Sequence, residues 1–473
     1  LSQAELPGPS HRALYGEISL SPSGSPCLQR CLNIPHGLLS GPMAEDWIEL
    51  YDDLRARLGL REKHVIDLGP GRRELFLKAT DILRERFVLR VVGEQELRKA
   101  KKWISELEKC ASALCDALGL RGILYTRELG SFISDPLAHL KKKIFVYTFD
   151  LLANKIGPDE FERRASAALR TSLRTNMRSI YQTWVFLEIL RILSSEASGT
   201  RLLYPEHGVL AIERSGRQRL GHIPPNCVLA LAGRGCLSLF LEVPRPIAWG
   251  DSHDLTRAWR LYVALRPDMM VYKGVVMDIV ELANDPPVKR PDFIIECKEL
   301  SDWYMRVRDL KGQFSKPLSA EEWRALWLKG LWDGLATAMG VRKRDVIRML
   351  REERSMRLRE PKLVEFYRSV YRPEHMALVS RAPIPGDVRD ELESSGIIVY
   401  DGIGFKSERL EGLASEMASL AEGTGVNDFL SEVAALLGLR TIDRDILKKA
   451  VLRLVSENSE RLKIMLERMR NCS

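Results

Sequence analysis

Apolar residues recur at three- and four-residue spacing through most of the chain, and this pattern breaks to alternation or to continuous runs between residues 200 and 300. From "AEDWIELYDDLRARLGL" to "YTFDLLANKIG" (44–157) the spacing predicts helices, with "RFVLRVV" (86–92) as a strand-like interruption. Pro158 and Asp159 then open a long helical pattern that Ser198 and Gly199 close. Its apolar stripe is Ile180, Trp184, Leu187 and Leu190, and Arg170, Arg174 and Arg178 form a basic ridge at four-residue steps. Next come "CLSLFLEV", "RAWRLYVAL", "DMMVYKGVVMDIVEL" and "DFIIECK", β-branched, aromatic or alternating runs separated by Pro, Gly and Asp, which predict a sheet. Helical spacing returns in "SAEEWRALWLKGLWDGLATAMG". Residues 374–403 read as strand, turn, helix and strand, the pattern of a parallel crossover.

These elements divide the chain into an N-terminal stretch, 1–42, dense in Ser, Gly and Pro and expected to be disordered; a helix-rich domain, 43–157; an α/β domain, 158–405; and a helical C-terminal region, 406–473. The chain begins with Leu, so Met43 is a candidate translation start.

Composition narrows the classes. With 45% hydrophobic and 29% charged residues and no apolar run near the ~18 residues that span a bilayer, a membrane protein is not expected. The eight cysteines form no CxxC pair and no zinc-finger spacing, and no signal peptide is visible, so reduced, mostly buried thiols in a cytoplasmic protein are the expectation. Neither a Walker A motif nor a Gly-x-Ser-x-Gly elbow nor HExxH is present. The net charge of +8 favours an anionic partner.

The chemistry centres on "RPDFIIECKEL" (290–300). Alternation along a strand puts Glu296 and Lys298 on one side and Cys297 on the other. Asp292 lies about 13 Å from Glu296 in a straight strand at ~3.3 Å per residue, too far to share an ion. Asp268 in "LRPDMMVYKG" begins another strand, and a neighbour at ~4.8 Å can bring it opposite the end of 292–298.

Pro-Asp followed by Glu-x-Lys, between a long helix and a strand-helix-strand unit, resembles the PD-(D/E)XK nuclease superfamily over about residues 170–405. "YQTWVFLEIL" ahead of "LRPDMMV" is similar to the McrC-related restriction branch. The resemblance implies a restriction-endonuclease-like mixed-sheet core flanked by helical N- and C-terminal domains, and a Mg²⁺- or Mn²⁺-dependent nuclease acting on DNA in defence or repair. It implies that Asp268 and Glu296 hold the metal with the Cys297 carbonyl, that Glu188 assists, and that Lys298 orients or helps deprotonate the attacking water. It further implies a separate nucleotide-hydrolysing motor as partner, and leaves room for an oligomer. The chain departs from the family in a second strand-like segment, "VVMDIVEL", which leaves Asp278 or Glu281 as substitutes for Asp268, and in having no clear Gln-x-x-x-Tyr.

Outside this motif, Arg342, Lys343, Arg344 and Arg348 crowd a basic stretch that reads either as a phosphate-contacting surface or as one held by ion pairs with Asp345 and its neighbours. Trp303, Trp323, Trp327 and Trp332 read first as core and second as base-stacking residues. The competing function is a nucleic-acid-binding or assembly protein that keeps the fold without cleavage.

Overall fold

A computed structural model of the chain describes residues 47–58, 70–196, 199–205, 207–212, 223–241, 267–279, 281, 284, 288–309, 336, 340–345, 348 and 357–422. They fall into two units, one holding helix α1 (Trp47–Leu58) and the other everything from Pro70 onward. In α1 the Trp47 and Tyr51 rings, one turn apart, lie 6.5 Å centre to centre.

The second unit opens with α2 (Pro70–Val92), α3 (Glu94–Leu118), β1 (Gly122–Leu124), α4 (Arg127–Ser134), α5 (Pro136–Lys143), α6 (Phe145–Leu152) and the 39-residue α7 (Pro158–Glu196). The strand expected at 86–92 is the last two turns of α2. Leu83, Phe87 and Val88 are fully buried at helical spacing, and the Phe87 ring meets Phe161 of α7 at 4.8 Å. Tertiary packing of one helical face thus overrides the β preference of the run. Helix α7 begins with Pro158 and with Asp159 and Glu160 in its first turn, which suits its positive end. From Ile180 to Leu190 every one of its residues is buried, the signature of a helix covered on all sides. Helix α3 packs along it, and α5 and α6 also touch it, so α2 to α7 join across the position expected as a boundary at 157/158.

Among the described residues, seven strands make one mixed sheet: β2 (Arg201–Tyr204), β4 (Cys227–Leu231), β5 (Gly235–Leu241), β6 (Met269–Lys273), β7 (Phe293–Lys298), β10 (His375–Ser380) and β11 (Ile398–Tyr400). Their order is β11-β10-β7-β6-β5-β4-β2. Neighbours from β2 to β7 run antiparallel, whereas β7, β10 and β11 run parallel. The chain is therefore an α/β protein with the antiparallel and parallel halves meeting at β7. Two short ribbons accompany it: β1 with β3 (Val209–Ala211), and β8 (Val307–Asp309) with β9 (Arg357–Arg359).

One face of the sheet carries α8 (Glu360–Tyr371) and α9 (Gly386–Ser394), whose Leu363, Val364, Phe366, Val388 and Leu392 pack with Phe240, Met270 and Ile294. Alternation directs the odd residues of β7 to the other face, and there α7 packs on β7. The strand-helix-strand expected at 374–403 is β10, α9 and β11. After Phe405, which wedges among Trp103, Tyr181 and Trp184, helix α10 (Glu411–Leu420) also lies on α7.

"VVMDIVEL" does not continue as a strand over its described residues. The chain turns at Gly274, whose φ of +76° is strained for any residue with a Cβ. The Val276 amide then donates to the Ser238 hydroxyl at 2.7 Å instead of entering a ladder, and that hydroxyl donates to the Gly274 carbonyl at 2.9 Å.

The leader 1–42, "RAWRLYVAL", Trp323, Trp327, Trp332 and residues 423–473 lie outside the described residues. Trp303 is buried and its indole N–H donates to Ser380 Oγ at 3.1 Å, in keeping with a core role. The described cysteines, 110, 115, 227, 236 and 297, are all free thiols. No helix among the described residues is long and apolar enough to cross a membrane.

Candidate active site

The antiparallel register of β6 and β7 pairs Met269 with Ile295 and Met270 with Ile294. One step further that register sets Asp268 opposite Glu296, and opposed residues share a side of the sheet. Asp268 is just ahead of β6 and Glu296 is near the end of β7, so both stand at the edge where the antiparallel half meets the parallel half. The Asp268 amide approaches Glu296 Oε2 at 3.3 Å, and Asp268 Oδ2 accepts from the Cys297 amide at 2.8 Å. In a strand the N–H and C=O of one residue leave by the same edge, so the Cys297 carbonyl lies on the Asp268 side. Lys298, two residues on, returns its ammonium to Glu296 Oε1 at 3.0 Å.

Two further side chains complete the cluster, and neither stood out in the sequence. Gln182 of α7 donates its amide to Asp268 Oδ1 at 2.6 Å, across from the other face of the sheet. Glu360, the first residue of α8, accepts from the Lys298 ammonium at 2.9 Å. The Trp303 ring backs the same ammonium at 5.6 Å. Signals for both existed in the sequence. Gln182 is a polar residue inside the apolar half of α7, and Glu360 precedes a proline at a helix start, although an acid there also suits the helix dipole.

The electrostatics are unusual for so dry a place. Asp268, Glu296 and Lys298 are 9, 4 and 6% exposed, and Glu299 and Glu360 are buried with them. Four buried carboxyl groups thus surround one buried ammonium, with Arg178 of α7 and Arg381 at the margin near Glu299. Burial, and after it the charge of Asp268, pushes the Glu296 carboxyl up to about 8, against the pull of Lys298. Burial acts to lower the Lys298 ammonium, but Glu296 and Glu360 outweigh it and hold the group above its ordinary value. Burial also raises Glu299 and the Cys297 thiol. A proton or a cation relieves the crowding of carboxylates at Glu296.

Asp278 and Glu281 are engaged elsewhere. The Asp278 carboxylate accepts from the Ile223 amide at 2.8 Å, and exposed Glu281 accepts from Asn284 at 2.7 Å. Asp268 is therefore the acid that faces Glu296. Glu188 lies six residues beyond Gln182 on α7, and its carboxylate is met by Arg191 at 2.6 and 3.0 Å and by the Ser407 hydroxyl. None of its described contacts is with Asp268 or Glu296.

Of the basic ridge, Arg170 and Arg174 are exposed, while half-buried Arg178 reaches the field of Glu299. The ridge therefore leads along α7 toward Gln182. In the other basic stretch, Arg342 and Arg348 share Asp345 at 3.2 and 3.4 Å, which gives those two an ion-paired role; Arg344 is exposed and Lys343 half-buried.

Among the described residues no group of three or more His, Cys, Asp or Glu side chains is disposed to hold a metal, so a cation here would rest on the Asp268 and Glu296 pair and backbone oxygen. Such hard oxygen donors, few in number, suit Mg²⁺, which keeps several waters and uses one or two carboxylates. Compared with family models, with curated proteins and with solved structures, the chain matches none.

Proposed function

We propose that the protein is a divalent-cation-dependent nuclease of PD-(D/E)XK type that hydrolyses phosphodiester bonds in DNA. The observation that carries this reading is the convergence of Asp268 and Glu296 from adjacent strands, with Lys298 two residues on, in a buried cluster where carboxylates outnumber the ammonium. The order α7, β5 to β7, α8, then β10-α9-β11 supports the same family, which would make the sheet a restriction-endonuclease-like core. Defence or repair is the setting this family suggests, with a separate motor protein as a partner.

Asp268, Glu296 and the Cys297 carbonyl would hold Mg²⁺ or Mn²⁺. When bound, such an ion polarises the scissile phosphate and lowers the pKa of water. Gln182 fixes one oxygen of Asp268, and the Cys297 amide fixes the other, so the acid is oriented before any ligand arrives. Lys298 places a positive charge where negative charge grows on the phosphate oxygens. Arg170 and Arg174, exposed on the ridge that leads to Gln182, would take the backbone phosphates on either side of the cut.

Supercoiled plasmid incubated with the purified chain and Mg²⁺ or Mn²⁺ should be nicked or linearised, and EDTA should stop it. Binding without cleavage under every divalent ion tried would replace this reading with the non-catalytic nucleic-acid-binding one.

A further inference from the structure

Large apolar side chains left open to water gather at one place in the helical part of the molecule. Phe145, Val146 and Phe149 of α6 are 46, 62 and 39% exposed, and Leu77 of α2 is 47% exposed. Helices α2 and α6 pack together there: the Phe76 ring meets the Phe149 ring edge-on at 6.2 Å, and the Arg84 guanidinium lies 5.0 Å from the centre of the Phe145 ring. Leu77 stands about two turns before Arg84 on the same stripe of α2. The Lys155 ammonium lies 5.8 Å from the centre of the Phe149 ring. Exposed Lys78 adjoins Leu77 in sequence, and exposed Lys142 closely precedes Phe145. We propose that this face binds an unpaired nucleic-acid strand, with Phe145 and Phe149 as stacking platforms for two neighbouring bases and the nearby lysines holding its phosphates. The site shares no residue with the Asp268 and Glu296 pair and stands without the phosphodiester reading above.

Three properties of the face argue for this occupant. The first is spacing. Phe145 and Phe149 stand one helical turn apart, about 6 Å along the axis. That is nearly twice the ~3.4 Å step of a stacked strand, so the rings suit bases already pulled apart, as in a stretched single strand. The second is charge. The nearest acids on α2, Asp81 and Glu85, are held by Lys141 at 2.8 and 3.2 Å, and Asp150 is met by Lys155 at 3.4 Å. Lys78, Arg84, Lys141, Lys142 and Lys155 outnumber these three acids around the rings, and surface pairs of this kind cost little to exchange for a phosphate. The third is size. A whole aromatic side chain offers about 150–250 Å², so the four open side chains present roughly 300–400 Å². A stable dimer buries about 800 Å² on each side, and this positive rim would face itself across a two-fold axis. A second copy of the chain fits the face less well than two bases with a phosphate chain beside them.

Fluorescence anisotropy of the full chain with a labelled oligothymidylate of about 20 nucleotides, in EDTA so that no strand is cut, reads the site directly. Phe145→Leu combined with Phe149→Leu keeps the apolar surface and removes the rings. The double variant should bind the single strand about tenfold or more weaker than the wild type. Its affinity for a duplex of the same length, whose bases are already stacked on one another, should be unchanged. In a second measurement, the wild-type chain is irradiated with a single strand carrying 5-bromouracil and digested. The crosslink should fall on the peptide that holds Phe145 or Phe149, and this needs no variant, so it decides the matter even if F145L/F149L does not fold. Equal single-strand affinity in F145L/F149L and the wild type, crosslinks confined to other peptides, or a wild type that binds no single strand overturns the proposal. A wild type that sediments as a dimer and a double variant that sediments as a monomer, with oligonucleotide affinity unchanged, overturns it in favour of a contact between copies. A chain that binds the strand at this face but cleaves no DNA with Mg²⁺ or Mn²⁺ refutes the phosphodiester reading and leaves this site standing.

Discussion

Two buried polar clusters lie along the same helix and behave in opposite ways. At Glu188, one carboxylate meets an arginine from the next turn, the Ser407 hydroxyl and the Cys110 thiol. Burial alone would raise that carboxyl, but these partners together carry it below its ordinary value. At Gln182, six residues earlier, the helix reaches a cluster where burial and like charge raise Glu296 instead. Both are dry, and both contain a glutamate that the family resemblance singles out. The first is a finished set of interactions, and the second is short of positive charge. Burial of an acid therefore says little about function; an excess of buried acids over cations says more, because a proton or a cation is taken up there to relieve it.

The largest effect that would sharpen this contrast is loss of chemistry. Asp268→Asn, Glu296→Gln and Lys298→Met, each nearly the size of the original, should each reduce Mg²⁺-dependent plasmid cleavage by roughly 10²–10⁴-fold. Glu188→Gln should instead cost about 1–3 kcal/mol of stability, read as a lower unfolding temperature, with cleavage by the folded fraction preserved. Full loss of cleavage in E188Q would erase the distinction between the two clusters.

Next is the dependence on pH. Because Glu296 is raised toward 8, the folded chain holds a proton there that the unfolded chain has already lost above its ordinary carboxyl range. Stability without metal should therefore fall as pH rises from about 4.5 toward 8. A cation must displace that proton, so Mn²⁺ affinity measured by calorimetry should rise about tenfold per pH unit up to about 8 and then level off. Affinity that does not vary between pH 6 and 8 would contradict the assignment of Glu296.

Smaller effects follow from the groups around the pair. Gln182→Glu would add a third acid at Asp268. It should tighten Mn²⁺ binding several-fold, on the order of 1 kcal/mol, while lowering the unfolding temperature of the metal-free chain. Charge reversal of Arg170 and Arg174 together should weaken DNA binding several-fold and reduce its salt slope by about two, leaving Mn²⁺ affinity unchanged.

The sequence carried the strand end, because alternation alone puts Glu296 and Lys298 on one side, and Asp268 followed from the reach of a neighbouring strand. Helix α7 and the β10-α9-β11 unit were equally readable, each bounded by Pro, Gly or Ser. What could not be read depends on contacts distant in sequence. Residues 86–92 look β-like until Phe161 provides a helical face to pack on. The pairing of β6 does not run on into "VVMDIVEL" because the chain turns at Gly274 and the Val276 amide goes to Ser238, on another strand. Gln182 and Glu360 join the site from helices on opposite faces of the sheet, 86 residues before Asp268 and 62 after Lys298, and no local pattern sets either apart from a structural polar residue.

A crystal of the chain soaked in Mn²⁺ and measured for anomalous scattering addresses the central claim most directly. The account predicts a peak within coordination distance of carboxylate oxygens from both Asp268 and Glu296, with Lys298 still on Glu360. A peak that touches only one of the two acids, or none at the strand ends while Mn²⁺ binds elsewhere, would contradict it.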